Sequence, residues 1–584
     1  MQIKNSGGEA GGIEKKYRLS RDLTLSKLLE YLPPMIATNI STLLLITVDG
    51  LVAGNFAGED ALSAISIFSP VNVLIGAITV VLATGASAVL SSRIGEVDTK
   101  RVLSAKKAVK ILTVLTAVFI SVVQIPISMG IIASYQLSEG MRSLVTAYSI
   151  GIMISNPFGM ISTIGVYELQ IMGRMKVLMK LALFEGVINL LLDILFTGVL
   201  QMGVAGAGFG SAIACTLRCV FTVIYLYRKT DIYKTGDAKV SFSDIREMIS
   251  KGLPEAASML ATVMQNYVII RILLQSFGPD GGAINAVCSF CYSLANVLMS
   301  SVQNALRPMI GLFNGAENRQ GVRTLMKQGI AMEALLSGLM TVFYMAAPAF
   351  FYGIHGVKEM PPGGEWSLRF FALSIGVQGV NTLFRLFFTT RGLQRFSTVL
   401  TLVGNCAMPL FALYMSSRFE PPFIFLSYLV TAAIILGVNL IRYALLQHSD
   451  MKKENSNNRR IYLSVQPQDA VDASKMIQRF ATDNGYPSEL AARARLCMEE
   501  MVAYSVKSSR SRKVRNQIMF SFDDENVLFT MLDDGEGIIF DEDEEKQRMI
   551  TDNYALLKRI SKSMKYQYVL NLNHTMLKFS TAGS

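Results

Sequence analysis

Leu429-Val430-Thr431-Ala432-Ala433-Ile434-Ile435-Leu436-Gly437-Val438 lies inside an apolar run from 422 to 447, after which the chain turns abruptly to His448-Ser449-Asp450-Met451-Lys452-Lys453-Glu454. A run of about 20 apolar residues is what a helix needs to cross a bilayer. The break after it divides the chain in two. Overall, 51% of the 584 residues are apolar and only 17% charged, whereas an ordinary soluble domain carries about 25% charged residues. Residues 455–584 hold 18 Lys+Arg and 18 Asp+Glu, leaving 37 and 26 for the first 454, so the net +11 belongs entirely to the oily part. A basic surplus confined to membrane loops reflects topology and gives no reason to invoke nucleic acid. The expected fold class is therefore an all-α polytopic membrane domain followed by a small α+β water-soluble domain.

Working back from 422–447, apolar runs between polar breaks predict twelve transmembrane helices. They fall near 27–54, 61–91, 105–134, 143–170, 177–200, 203–228, 252–275, 281–308, 325–353, 367–390, 394–416 and 422–447. The loops on the opposite side from the termini carry only four basic residues, Arg142, Lys358, Arg369 and Arg418. The positive-inside bias then puts both termini in the cytoplasm of a multi-pass protein of the cell membrane. The expected organisation is a cytoplasmic tail at 1–24, a first six-helix lobe at 25–229, a cytoplasmic linker at 230–251 and a second lobe at 252–449. A linker at 450–460 and a terminal domain at 461–584 complete it. The polar, basic N-terminus lacks a following apolar region, so no cleavable signal peptide is expected.

The membrane region repeats itself. Gly95 and Gly315 lie 220 residues apart in similar polar turns, Gly173 and Gly392 lie 219 apart, and Pro34 and Pro254 open the first helices of the two halves. Two six-helix repeats in parallel orientation favour a substrate path between the halves and alternating access.

Ionisable groups inside spans are expensive and usually face a cavity or a partner. Asp49 near the outer end of helix 1, Asn189 and Asp193 at i and i+4 on helix 5, and Ser211 on helix 6 fall at comparable depth. These are hard oxygen donors suited to a small cation or a shared proton. Glu185 extends the helix 5 stripe by one more step, and Arg218 on helix 6 is positioned to pair with it. Glu255 reads as a helix-start residue, and Arg271 and Arg385 as snorkelling side chains. Six cysteines and three histidines are too few and scattered for a disulfide framework or a zinc site. Cys288 and Cys291 form a C-x-x-C within an apolar run and read as packing residues.

Leu32-Pro33-Pro34, Val48-Asp49-Gly50-Leu51-Val52-Ala53-Gly54, Gly58-Glu59-Asp60-Ala61-Leu62-Ser63-Ala64 and Ser92-Arg93-Ile94-Gly95 resemble, as an ordered set, the first-half motifs of multidrug and toxic compound extrusion (MATE) transporters. So do Asn189-Leu190-Leu191-Leu192-Asp193 and Gly203-Val204-Ala205-Gly206-Ala207-Gly208. The resemblance covers roughly residues 25–450. It implies a bacterial secondary transporter that exports organic, typically cationic, compounds in exchange for Na⁺ or H⁺, with Asp49, Asn189, Asp193 and Ser211 as the cation site. Other readings from the same residues are a transporter-shaped membrane sensor and a lipid or glycan flippase. The second-half positions that repeat Asp49 and Asp193 fall near Ile269/Ile270 and Ala412/Leu413, so coupling is expected in the first half alone.

Beyond the linker the pattern becomes strand at Ile461–Val465, helices at Ala470–Thr482 and Glu489–Val506, a hairpin of 516–522 with 526–532 turned at 523–525, and a second hairpin of 566–572 with 575–579. Asp533-Asp534-Gly535-Glu536-Gly537 after a strand, with Glu499-Glu500 on the preceding helix, resembles the GHKL ATPase fold and especially its anti-sigma-factor kinase branch. That resemblance implies nucleotide contacts at Glu500, Asp533, Gly535 and Gly537. Tyr504 stands where the family's Mg²⁺-holding Asn belongs, and Thr551–Leu557 lacks the glycines of the family's lid. Phosphoryl transfer without metal positioning is therefore not expected. The domain reads as degenerate, with regulation or capture of a cytoplasmic protein as its role, doubtful ATP binding and no tightly bound cofactor.

Overall fold

The computed structural model describes residues 23–135, 137–229, 239–278, 280–354, 359–457, 460–508, 514–522, 526–537, 556–557 and 559–580. Most of the N-terminal tail, the hairpin turn at 523–525 and the lid segment 551–555 lie outside them. The first half comprises α1 (Leu23–Ala57), α2 (Glu59–Gly95), α3 (Thr99–Ser134), α4 (Glu139–Ile171), α5 (Met175–Asp193) and α6 (Val204–Lys229). The second comprises α7 (Phe242–Phe277), α8 (Asp280–Gly315), α9 (Arg319–Ala346), α10 (Gly364–Thr390), α11 (Gln394–Arg418) and α12 (Leu426–Asn457), with a short helix at Pro348–Ile354. Among the described residues eleven helices are long and apolar enough to cross a membrane. α5 falls outside that set because Lys176, Lys180, Glu185 and Asp193 crowd its nineteen residues. Large apolar side chains such as Leu115, Val118, Phe119 and Val122 of α3 stand exposed along one helix face, a surface that lipid rather than water accommodates.

Two expected linkers are partly helical. α7 begins at Phe242, ten residues before the expected boundary, and α12 continues to Asn457 through what reads as linker. Polar composition ended the apolar pattern there without ending the helix.

The halves meet through bare backbone. A Cβ on Gly95 would fall 2.2 Å from the Leu312 carbonyl oxygen, and one on Gly315 would fall 2.0 Å from that of Ser92. Gly85 and Gly252 similarly seat α2 against α7, a Cβ on either falling within 2 Å of the opposing carbonyl oxygens of Met248 and Val81. The turns beyond Gly95 and Gly315 match: Val97 and Glu317 both have positive φ, while Asp98 caps α3 and Asn318 caps α9 with side-chain acceptors. Arg93 at the end of α2 reaches Asp244 (3.0 Å) and Glu247 (2.7 Å) on α7, so this face of the two halves is latched shut.

The terminal domain is a five-stranded antiparallel sheet in the order β1-β2-β3-β5-β4, with β1 (Arg460–Val465), β2 (Asn516–Phe522), β3 (Asn526–Asp533), β4 (Ser563–Val569) and β5 (Leu572–Ser580). Helices α13 (Ala470–Asp483) and α14 (Ser488–Ser508) cover it, and Ile477, Cys497, Met498, Phe520 and Phe529 form its core. The second hairpin turns at Leu570-Asn571, both at positive φ, three residues earlier than the sequence pattern suggests. No glycine marks the turn, so composition alone carries the strand pattern through it.

This turn plugs into the membrane domain. The Leu570 amide donates to the Ile171 carbonyl (3.2 Å), the Tyr31 hydroxyl donates to the Leu570 carbonyl, and Asn571 Nδ2 donates to the Gly173 carbonyl (3.1 Å). Leu570 is fully buried with Val569, Leu572 and Leu532 in the core of the helical domain. On the other half, Arg460 pairs with Glu317 at 2.7 Å. The domain thus straddles both halves on the face that Arg93 latches.

Candidate functional site

The site forms where α1, α5 and α6 converge. The Ser211 hydroxyl donates to Asp49 Oδ2 (2.9 Å) and accepts from Asn189 Nδ2 (3.1 Å). Asp193 lies one turn beyond Asn189 on the same face, and its carboxyl is within hydrogen-bonding reach of that of Asp49. Asn189 and Asp193 are wholly buried. All four residues read from the sequence as a cation site are therefore in one cluster.

What the cluster lacks is donors. With both acids ionised, Asp49 Oδ1, Asn189 Oδ1 and both oxygens of Asp193 have no partner among the described residues. Burying two carboxylates against each other without a counter-charge is costly, and a shared proton or a small monovalent cation removes that cost. Hard oxygen donors suit either.

Local structure explains how Asp193 reaches this position. At Asp193 the α-helix gives way to a π turn, Ile194–Val199, closed by the Leu200 amide on the Leu195 carbonyl at 2.8 Å. Such turns often occur at functional sites. Opposite it, α6 presents Gly210, where a Cβ would fall 2.3 Å from Asp193 Oδ1. Tyr148 of α4 adjoins both acids, its ring held edge-on against Phe68 at 5.9 Å. The sequence reading passes over the π turn, Gly210 and Tyr148; the alternating glycines Gly206, Gly208 and Gly210 were the available signal for the close contact.

Glu185 and Arg218 form an ion pair, and Arg218 Nε also donates to Ser162 Oγ at 2.8 Å. The second half corrects two expectations. Glu255 is not a helix-start residue: with α7 beginning at Phe242, it is thirteen positions into the helix and meets Arg307 (3.2 Å) and Arg385 (3.4 Å). Arg385 accordingly has a fixed partner rather than snorkelling; it also donates to Ser258 Oγ at 2.6 Å. Arg271 lies over the Tyr267 ring. The second half also buries an acid that comparison at fixed offsets missed. Glu333 of α9 is fully buried, with neither carboxyl oxygen partnered among the described residues. Its signal was a lone acid in Ala331-Met332-Glu333-Ala334-Leu335-Leu336. Cys288 and Cys291 are buried free thiols in α8, and no group of three or more metal-ligating side chains occurs among the described residues.

In the terminal domain Asp533 is buried, and its Oδ1 accepts from Asn573 Nδ2 (2.6 Å) and the Gly535 amide (3.0 Å). Burial raises its carboxyl to about 6, opposed by those two hydrogen bonds. Gly537 packs its backbone on the Tyr568 ring, with a Cβ there 2.9 Å from the nearest ring atom. Tyr504 is buried in the domain core, and Glu500 is half-buried on the same helix. The chain's own Asn573 and Tyr568 thus lie against Asp533 and Gly537.

The MatE family profile matches residues 34–195 and again 254–413. The "Probable multidrug resistance protein NorM" of Listeria monocytogenes is 22% identical over 338 residues, covering 55% of this chain and 72% of that protein. The "Multidrug export protein MepA" of Staphylococcus haemolyticus is 21% identical over 226 residues, 38% of this chain and 50% of its own. Among solved structures, MATE in complex with MaD3S superposes with a TM-score of 0.68 at 19% identity, covering 74% of this chain and 98% of that one. An outward-facing MATE family transporter of the MOP superfamily gives 0.66 at 18% identity, with 74% and 99% covered. With the profile matched over more than half its length, the chain belongs to the MatE family of membrane transporters.

Proposed function

We propose that the protein is a secondary transporter that exports organic compounds in exchange for Na⁺ or H⁺, with Asp49, Asn189, Asp193 and Ser211 as the coupling site. The observation that carries this is the set of buried carboxyl and amide oxygens left without donors. Occupation by a cation or proton would neutralise the paired acids and draw α1, α5 and α6 together; release to the other side would relax them. Twelve spans in two six-helix repeats are the architecture of this proposal. It is supported by the doubled family match, whose segments begin 220 residues apart, and by the matching turns at Asp98 and Asn318. With the termini in the cytoplasm of a bacterial cell, the face latched by Arg93 is the inner one and the conformation is outward-facing.

The terminal domain acts in this scheme as a regulator. Its GHKL-like strand and Asp533 box are degenerate, and its contacts with Tyr31, Gly173 and Glu317 let it resist separation of the halves at the inner face. A cytoplasmic protein that captured the domain would release that restraint. Efflux driven by an imposed Na⁺ or H⁺ gradient in proteoliposomes tests the proposal: Asp49→Asn and Asp193→Asn should each abolish the driven component while the protein remains folded. Normal driven efflux by both variants would remove the assigned site.

A further inference from the structure

The second half opens a cavity of about 300 Å³ between α7, α8, α10, α11 and α12, at the small end of ligand-pocket sizes, roughly 300–1,000 Å³. Its wall is built almost without charge. Eight side-chain amides and eight Ser or Thr hydroxyls line it; Arg385 is its one charged side chain, and no Asp or Glu contributes. Two of the amides are tied to each other or to backbone: Asn439 Nδ2 donates to Asn381 Oδ1 (3.0 Å), and Asn381 Nδ2 to the Ala432 carbonyl (2.8 Å). Gln265, Asn266, Asn285, Asn296 and Asn405 make no side-chain hydrogen bond among the described residues.

Each free amide offers two donors and an acceptor. Five of them inside a lipid-embedded domain would be a poor packing solution for an apolar occupant, because its entry would strand them. An organic cation fares no better. Glu255, the acid that meets the cavity's Arg385, is already shared between Arg307 and Arg385, so this trio carries a net positive charge beneath the cavity. An uncharged molecule rich in hydroxyls satisfies both constraints. Tyr292 and Tyr428 add aromatic surface with polar tips, Tyr428 being held edge-on by Phe371 at 5.0 Å.

We propose that this second-half cavity binds an uncharged, hydroxyl-rich organic molecule of about the size of a mono- or disaccharide, and that it discriminates against organic cations. Its meaning as a substrate site rests on the transporter reading above, but the binding itself requires no ion gradient. The amide dipoles supply donors and acceptors in every direction, whereas a cation would meet no counter-charge.

Equilibrium dialysis of the purified full chain with sucrose, glucose, uridine and tetraphenylphosphonium tests this. We expect saturable binding of at least one of the uncharged probes, weakened at least tenfold in Gln265→Leu and in Asn405→Leu. Tetraphenylphosphonium should bind no differently to these variants and the unaltered protein. Asn405→Asp places a carboxylate in the wall and should create tetraphenylphosphonium binding that Gln265→Leu then weakens, which also shows that the altered cavity is intact. Absence of saturable binding by all three uncharged probes would overturn the proposal, as would tetraphenylphosphonium binding to the unaltered protein that either leucine variant weakens. Probe binding without gradient-driven efflux would leave the site standing and remove the transport reading; driven efflux without probe binding would do the reverse.

Discussion

The two halves of the membrane domain share their turns, their caps and their glycine contacts, yet they bury opposite chemistry. The first converges two carboxyls, an amide and a hydroxyl on one point. The second opens a cavity walled by amides and hydroxyls with no acid in it. Backbone geometry is duplicated because close packing at Gly95 and Gly315 tolerates no side chain on either partner. The interior faces are free of that constraint, so one half can serve an ion while the other serves an organic molecule. Coupling between them then requires only that both share the rigid contact between α2, α7 and α8.

The largest expected effect separates the two halves by their ion pairs. Glu185 and Arg218 are each other's only charged partner among the described contacts, so removing one charge strands the other in a buried site. We expect Glu185→Gln and Arg218→Met each to cost about 3–5 kcal/mol of stability, seen as a lower melting temperature in detergent and poor recovery from membranes. The double variant should regain most of this, whereas additive losses would show that the two act independently. In the second half Glu255 has two guanidinium partners. Arg307→Met should therefore cost less than either first-half variant, since Arg385 remains; an equal loss would erase the distinction.

A smaller effect concerns coupling. Gly210→Ala places a methyl 2.3 Å from Asp193 Oδ1, and we expect about a tenfold loss of gradient-driven efflux, or about 1.4 kcal/mol, beyond the stability loss that overpacking brings. Gly379→Ala presents the same intrusion to Glu333 of the second half, 2.6 Å from Oε1. It should leave driven efflux within about twofold, at the usual price of overpacking in stability. Equal losses of driven efflux in both would place coupling in both halves.

Smaller still is the contribution of the terminal domain. Leu570→Asp puts a charge into the buried contact with the helical domain, so the domain should detach and become accessible to protease in its connection to α12. Basal transport should persist and change about two- to fivefold, because the proposed coupling residues are untouched. Loss of all transport would make the domain part of the transport machinery rather than a regulator of it.

The sequence revealed most where a residue was out of place. Asp49, Asn189, Asp193, Glu185 and Arg218 are legible because polar groups are conspicuous in an apolar helix. Gly210 was not, because its role depends on where Asp193 of another helix lands. The π turn at Ile194–Val199 alters helix phase without a distinguishing composition. Arg385 could be paired with Glu255 only after α7 was found to start at Phe242. The docking of Asn571 on Gly173, 398 residues apart in the chain, has no local pattern at all, and a Leu-Asn turn at positive φ is chemically quiet compared with a glycine turn.

The smallest expected effect is a cancellation within the terminal sheet. His574 on β5 is fully buried, neither ring nitrogen has a partner among the described residues, and burial lowers its imidazole to about 4 from 6.5. Asp533 on β3 is raised by burial to about 6 from 3.8. Between about pH 4 and 6 the unfolded chain carries a proton on His574 that the folded chain lacks, so this residue's contribution to stability falls as pH falls, by about 1.4 kcal/mol per unit. Over the same window the folded chain holds a proton on Asp533 that the unfolded chain lacks, so the contribution of Asp533 falls as pH rises, by about the same amount. The two slopes oppose each other and nearly cancel. Asp533→Asn should expose the first, making the domain lose stability on acidification; His574→Leu should expose the second, making it gain. Hydrogen exchange of the β3 and β5 amides in the full chain at pH 4, 5 and 6, corrected for intrinsic exchange, measures both. Parallel pH profiles for the two variants would mean that at least one of these groups titrates as it does in the unfolded chain, since opposite slopes follow only if both are shifted by burial.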